Sequence, residues 1–262
     1  MGFRKFLDQY SKQAGVISRV GWFVADCSIL LILNLNENYE IVKTMIIIKY
    51  SKKHHKKILL AGLQALKAGQ VLAYSTDTSY GLGADIKNMK AVAKLYRIKE
   101  RNFKKPIHVV VPSVAFAEKI AVWGSFAQKL TTKFWPGPLT IVLPLKKKSG
   151  IFYKLGGGTG TIGLRFPKNN FALDLAKTLK RPITTTGANP SAKLSGGRDS
   201  YSANDVCQQF SKKKFKPDII IDGGRVTKRK PSTIVKITGQ HIDILRIGPI
   251  SEKQISQALK TK

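Results

Sequence analysis

From Met45 onwards the chain alternates short apolar runs with stretches whose apolar residues recur at three- and four-residue spacing, and no other feature restricts its fold so strongly. Val71-Leu72-Ala73-Tyr74, Ile107–Val111, Leu139–Leu143, Ile183–Thr186, Ile219–Ile221, Thr233–Ile237 and Ile242–Ile247 have the length of buried strands. Between them, four sets of residues predict amphipathic helices: Ile58, Leu59, Leu63 and Leu66; Met89, Val92, Leu95 and Tyr96; Phe126, Leu130 and Phe134; Phe171, Leu175 and Leu179. Gly69 is the expected stop of the first helix and Ser125 the expected N-cap of the third. Strands and helices that mix without a strict repeat predict one α/β domain on a mixed sheet. With 262 residues, 43% of them hydrophobic, the chain has material for its core.

Charge divides the chain unevenly. It carries 46 Lys+Arg against 15 Asp+Glu, a formal net charge of +31, yet residues 1–44 hold 5 basic and 4 acidic residues. That shift predicts a boundary at Met45, with an N-terminal extension over 1–44 and the domain over 45–262. Such a surplus favours phosphates, nucleotides, nucleic acid or anionic membranes. Of the basic residues 36 are Lys and 10 Arg, whereas planar bidentate recognition of phosphate uses Arg. The count alone therefore leaves an RNA-binding face and a solvated surface equally open. A membrane span is not expected, because Arg19 and Asp26 interrupt the apolar stretch Val16–Leu35. Cys27 and Cys207 lie far apart and His54, His55, His108 and His241 stand at no metal-ligand spacing. No structural zinc, disulfide framework or catalytic triad is expected, and the pattern fits the reducing cytoplasm.

The glycine signals exclude two nucleotide-binding classes. Gly158, Gly160 and Gly163 satisfy G-x-G-x-x-G but precede a strand instead of joining a strand to a helix, and no G-x-x-x-x-G-K-[ST] occurs. The hydroxyl-rich segment STDTSYGLGAD, from Ser75 to Asp85, reads as a loop at a strand's end, where α/β sheets place ligands. Lys99, Arg101, Lys104 and Lys105 follow as a cationic patch suited to polyphosphate, or as a solvated face. In the strand expected over Thr161–Phe166, Thr161 and Arg165 share a face. A lone Arg between apolar neighbours needs an anionic ligand or a structural salt bridge.

STDTSYGLGAD, KER with KKPIHVVV, FWPGPLT, GTIGLRFP, TTTGANPSA, PSTIV and LRIGPI, in this order, resemble the threonylcarbamoyl-AMP synthase family, the YrdC-like domain, from about Lys67 to Ile250. The resemblance implies a single α/β domain with a twisted, mixed parallel and antiparallel sheet flanked by helices around a basic cavity. It implies condensation of L-threonine, bicarbonate and ATP into threonylcarbamoyl-AMP and pyrophosphate. A threonylcarbamoyl transferase partner then delivers the group to tRNA beside the anticodon. Residue by residue it places Thr78, Arg165 and Ser232 on threonine, and Lys99, Arg101, Lys105, Thr161, Gly187, Asn189 and Arg246 around ATP, Lys99 and Arg101 being the catalytic pair. Mg2+ is expected to bind mainly through ATP, with Asp77 the one protein candidate. Gly187 stands where the family usually has serine. The alternative of a different class is an inactive RNA-binding module of the same fold.

Overall fold

The computed structural model describes residues 29–31, 45–168, 170–191, 198–227 and 230–260. Most of the Val16–Leu35 stretch lies outside them. Among the described residues the strands are β1 (Ile29–Leu31), β2 (Ile46–Lys49), β3 (Leu72–Ser75), β4 (Tyr80–Gly83), β5 (His108–Val110) and β6 (Leu139–Pro144), followed by β7 (Thr161–Arg165), β8 (Ile183–Gly187), β9 (Ile219–Asp222), β10 (Thr233–Thr238) and β11 (His241–Arg246). They form one sheet in the order β1-β2-β9-β3-β4-β8-β5-β7-β6-β10-β11. The sheet contains parallel pairs, such as β2 with β9 and β5 with β7, and antiparallel ones, such as β3 with β4 and β6 with β7, so it is mixed as expected. The charge boundary falls between β1 and β2, which pair antiparallel.

Helices cover both faces of the sheet, and each is held by an apolar stripe. On one face α1 (His55–Lys67) and α6 (Asn170–Leu179) bury Ile58, Leu66, Leu175 and Leu179 against Leu72, Tyr74 and Ile219. Helix α1 ends as its sequence predicts: Gly69 takes φ +80°, its N–H reaches the Leu66 carbonyl and that of Gln70 reaches Ala65. The other face carries α2 (Met89–Ile98), α4 (Ser125–Phe134), α7 (Ala203–Phe210) and α8 (Glu252–Lys260) over Val109, Ile141, Leu164 and Ile220. Two shorter helices complete the set, α3 (Val114–Ile120) and α5 (Gly150–Leu155). The Asn88 side chain caps α2 on the Ala91 N–H, which fixes where the helix begins and delivers Lys99 at its C-terminus.

Two local expectations need correction. Ser125 is the first residue of α4 and makes no cap; Gly124 holds the N-cap position. The Ser75–Asp85 segment is a loop only from Thr76 to Ser79. Tyr80–Gly83 is a buried strand between β3 and β8. Glycine at Gly83 leaves room for the Tyr74 ring lying across it, so the glycines that read as loop mark a close approach within the sheet.

Candidate active site

Register across the sheet assembles the site. Arg165 on β7 stands opposite Thr140 on β6, Thr140 opposite Ile234 on β10, and Ile234 opposite Arg246 on β11. On the other side His108 on β5 pairs with Thr185 on β8, and Gly81 on β4 with Gly187 on β8. These rows line one side of a cavity of about 470 Å³, closed by the Thr76–Ser79 turn, the Lys99–His108 segment and residues Asn189–Ser191, Asp199 and Pro231–Ser232. Nine of the ten residues that sequence reasoning assigned line it: Thr78, Lys99, Arg101, Lys105, Arg165, Gly187, Asn189, Ser232 and Arg246. Thr161 does not. It begins β7 opposite Pro144, its hydroxyl 2.8 Å from that of Thr159. It shares the face of Arg165 but stands roughly 13 Å away along the strand.

The Thr76–Ser79 turn is built by one hydroxyl. Thr76 Oγ1 donates to the Ser79 carbonyl at 2.7 Å and accepts the Thr78 N–H at 3.2 Å, which presents Thr78 to the cavity. There Thr78 Oγ1 accepts from Arg165 Nη2 at 3.2 Å, and the same nitrogen is ion-paired with Asp77. The salt-bridge reading of Arg165 is therefore met, by an acid next to the threonine motif. Ser232 Oγ lies 2.9 Å from Thr140 Oγ1 and accepts from Arg246 Nη2 at 3.2 Å, while Arg246 Nε donates to the Ser232 carbonyl. Arg101 Nη2 donates to the Pro106 carbonyl at 3.0 Å. The Nε atoms of Arg101 and Arg165 are buried without a hydrogen-bond partner, donors of the kind that folded proteins normally satisfy.

Lys99 is 3% exposed. Its ammonium donates to the Gly187 carbonyl at 2.7 Å, to Asn189 Oδ1 at 2.9 Å and to the Asn189 carbonyl, so its three hydrogens match three oxygens. Burial first, and Arg101 second, push its pKa down to about 7, with the Asp199 carboxylate acting the other way. Lys99 thus shapes the segment from Gly187 to Asn189 in addition to contributing charge. Burial, then Arg246, Arg101 and Arg165, hold His108 down to about 4, a neutral imidazole among cations. Its ring lies against Gly163, where a Cβ would overlap it. Sequence reasoning missed His108 and Asp199 as cavity residues, because both acquire that place through distant neighbours.

Asp77 is engaged by Arg165, and among the described residues no group of three His, Cys, Asp or Glu could hold a metal. The donors of the described residues therefore do not form a resident Mg2+ site of their own. Nor does any helix of the described residues have the length and apolarity to cross a membrane.

Fold and cavity together define an α/β receptor for an anionic ligand, with hydroxyls at one end for a small polar one. A family profile for the Sua5/YciO/YrdC domain, described as telomere recombination, matches residues 64–248, and the chain belongs to that family. A Methanocaldococcus jannaschii protein is 34% identical over 215 residues, covering 82% of this chain and 97% of that one. Threonylcarbamoyl-AMP synthases of Pyrococcus abyssi and Bacillus subtilis are 33% and 31% identical over 74% of this chain, which spans 55% and 54% of their lengths. The crystal structure of P. abyssi Sua5 complexed with L-threonine superimposes with a TM-score of 0.73 at 30% identity, over 82% of this chain and 61% of that one. E. coli YciO, at 23% identity and a TM-score of 0.67, shares the fold over 80% of this chain and 97% of its own.

Proposed function

We propose that the protein is an L-threonylcarbamoyladenylate synthase, a nucleotidyltransferase that makes threonylcarbamoyl-AMP and pyrophosphate from L-threonine, bicarbonate and ATP. One observation carries the reading: five cations, Lys99, Arg101, Lys105, Arg165 and Arg246, drawn from segments far apart in sequence, meet Thr78 and Ser232 on a single cavity. The reaction needs that arrangement and little more. The carbamate formed from threonine and bicarbonate attacks the α-phosphorus of ATP, its oxygen–phosphorus bond forming as the bond to pyrophosphate breaks. Positioning, together with fixed cations facing the charge that develops on phosphate oxygens, lowers the barrier without a protein nucleophile.

Thr78, Arg165 and Ser232 hold threonine. Arg101, Lys105, Asn189 and Arg246 hold ATP, and Lys99 orders the Gly187–Asn189 segment against it. Mg2+ enters with the nucleotide. The catalytic domain is 45–262, with 1–44 an extension. The product passes to threonylcarbamoyl transferase proteins that modify tRNA, which makes the compartment cytoplasmic. RNA is the further partner that the lysine surplus allows. The inactive RNA-binding alternative has nothing in its favour here, since the cavity keeps its cations and its threonine-side hydroxyls.

Pyrophosphate is measured with each component omitted in turn. Release that requires threonine and bicarbonate together, and needs no RNA, is the expected result. Release that ignores threonine, or that begins only when RNA is added, overturns the reading.

A further inference from the structure

Every charged side chain lining the cavity is a cation except one. Asp199 is the single carboxylate on its wall among the described residues. In a site that takes a triphosphate this is unfavourable, because a fixed negative charge repels the ligand it surrounds. The charge becomes useful only where the ligand offers a donor. The nucleotide offers its ribose hydroxyls and exocyclic amine; threonine offers its amino group and hydroxyl.

Position decides between them. Asp199 stands at the Lys99 end of the cavity. A Cβ built on Gly187 would lie 2.7 Å from Asn189 Oδ1 and 3.7 Å from Asp199 Oδ1, so the bare Gly187 backbone stands between an amide oxygen and a carboxylate that faces the cavity. Asn189 Oδ1 already accepts from Lys99, and the Asp199 carboxylate only accepts, so a ligand group that meets it must donate. The Asp199 charge also opposes the burial that lowers the pKa values of Lys99 and Arg246, both assigned to the nucleotide side. The threonine end already holds its own acid, since Asp77 is paired with Arg165 beside Thr78. Among the described residues no group of three His, Cys, Asp or Glu includes Asp199, so a donor group of the ligand is the partner argued here. A vicinal diol is the matching donor, because one carboxylate accepts from two adjacent hydroxyls, the chemistry by which acidic residues read ribose in other nucleotide sites.

We propose that Asp199, on the cavity wall beside Gly187, reads the ribose hydroxyls of the nucleotide and makes this cavity select ribonucleoside over deoxyribonucleoside triphosphates. The inference rests on the synthase reading for the identity of the ligand. Its test does not depend on turnover. Binding of ATP and of 2′-deoxy-ATP is measured by calorimetry on the full chain and on Asp199→Asn and Asp199→Ala. Melting curves confirm that each variant is folded.

The parent chain is expected to bind ATP about 10- to 100-fold more tightly than the deoxy analogue, the value of a hydrogen bond to a charged group. Both variants should bring that ratio close to one and leave threonine affinity unchanged. A ratio that survives in Asp199→Ala overturns the proposal. So does a variant that weakens threonine instead, which assigns the carboxylate to the amino group. If pyrophosphate release fails in the parent while ATP is still preferred to its deoxy analogue, the synthase reading falls and the ribose assignment stands.

Discussion

Arg165 and Lys99 stand at the two ends of one cavity, and the fold holds them by different means. Arg165 is ion-paired with Asp77 and donates to Thr78, so a formal counter-charge lies in contact with it. Lys99 is held by two carbonyl oxygens and an amide oxygen, none of which carries a formal charge. A guanidinium keeps its proton at any working pH, whereas a buried ammonium gives it up readily. The end proposed for threonine therefore keeps its cation at any working pH. The nucleotide end depends on the protonation of one side chain.

Removing each cation exposes the difference. Arg165→Ala leaves the Asp77 carboxylate, 14% exposed in the intact pair, without its partner, and breaking a buried pair in this way costs about 3–5 kcal/mol. The expected result is a large fall in the unfolding midpoint together with loss of threonine binding. Because the two residues touch, the double variant Arg165→Ala/Asp77→Ala should lose clearly less than the two single losses added. Additive losses would mean that the pair is not the structural unit assigned here.

At the other end the readout is pH. With a pKa near 7 in the fold, Lys99 carries three hydrogens below that value and two above it. One of its three oxygens then faces a lone pair, and the Gly187–Asn189 segment loses a tie. The apparent KM for ATP should rise as pH increases through about 7, with the KM for threonine flat over the same range. Lys99→Arg keeps its charge throughout and should abolish the inflection. The same inflection in that variant would assign the titration to another group.

How much of this was legible in the sequence follows from the distance over which each feature is fixed. Short apolar runs place the strands at Leu139 and Ile219 because burial on both faces leaves few polar residues in them. Gly69 marks the end of α1 because a left-handed turn is a local demand. β4 reads as a loop because Gly83 answers a tyrosine on the neighbouring strand, which is a property of register. Helices α3, α5, α7 and α8 went unread because, at nine residues or fewer, they repeat their apolar spacing too few times to stand out. Arg165 was legible as an anomaly in a strand, but its partner Asp77 was not, the two being 88 positions apart. Thr161 was placed around ATP by the family resemblance alone and does not line the cavity: alternation gave its face correctly and says nothing of how far along a strand a cavity extends. His108 and Asp199 carry no local signal. The first is a cavity residue because β5 runs between β7 and β8, the second because it is set beside Gly187.

The smallest expected effect tests whether the two ends can be altered separately. Gly187→Ser restores the residue usual in the family, and in isolation it would add a hydroxyl for the nucleotide. Here its Cβ would meet Asn189 Oδ1 at 2.7 Å, closer than such contacts allow, while the Asn189 Cγ and Asp199 Oδ1 at 3.7 Å leave room on the other sides. The Asn189 amide must swing away and give up its bond to Lys99. The two backbone carbonyls remain bound to the ammonium, so one hydrogen bond of three is lost. At about 1.5–3 kcal/mol for a bond donated by an ammonium, the KM for ATP should rise by up to roughly 10- to 100-fold. Threonine binding, held across the cavity by Thr78 and Arg165, should not change. An ATP KM that falls would mean that the missing hydroxyl limits the parent enzyme and that Asn189 yields without cost. A threonine KM that shifts equally would mean that the two ends are one mechanical unit, and the contrast between their cations would lose its functional meaning.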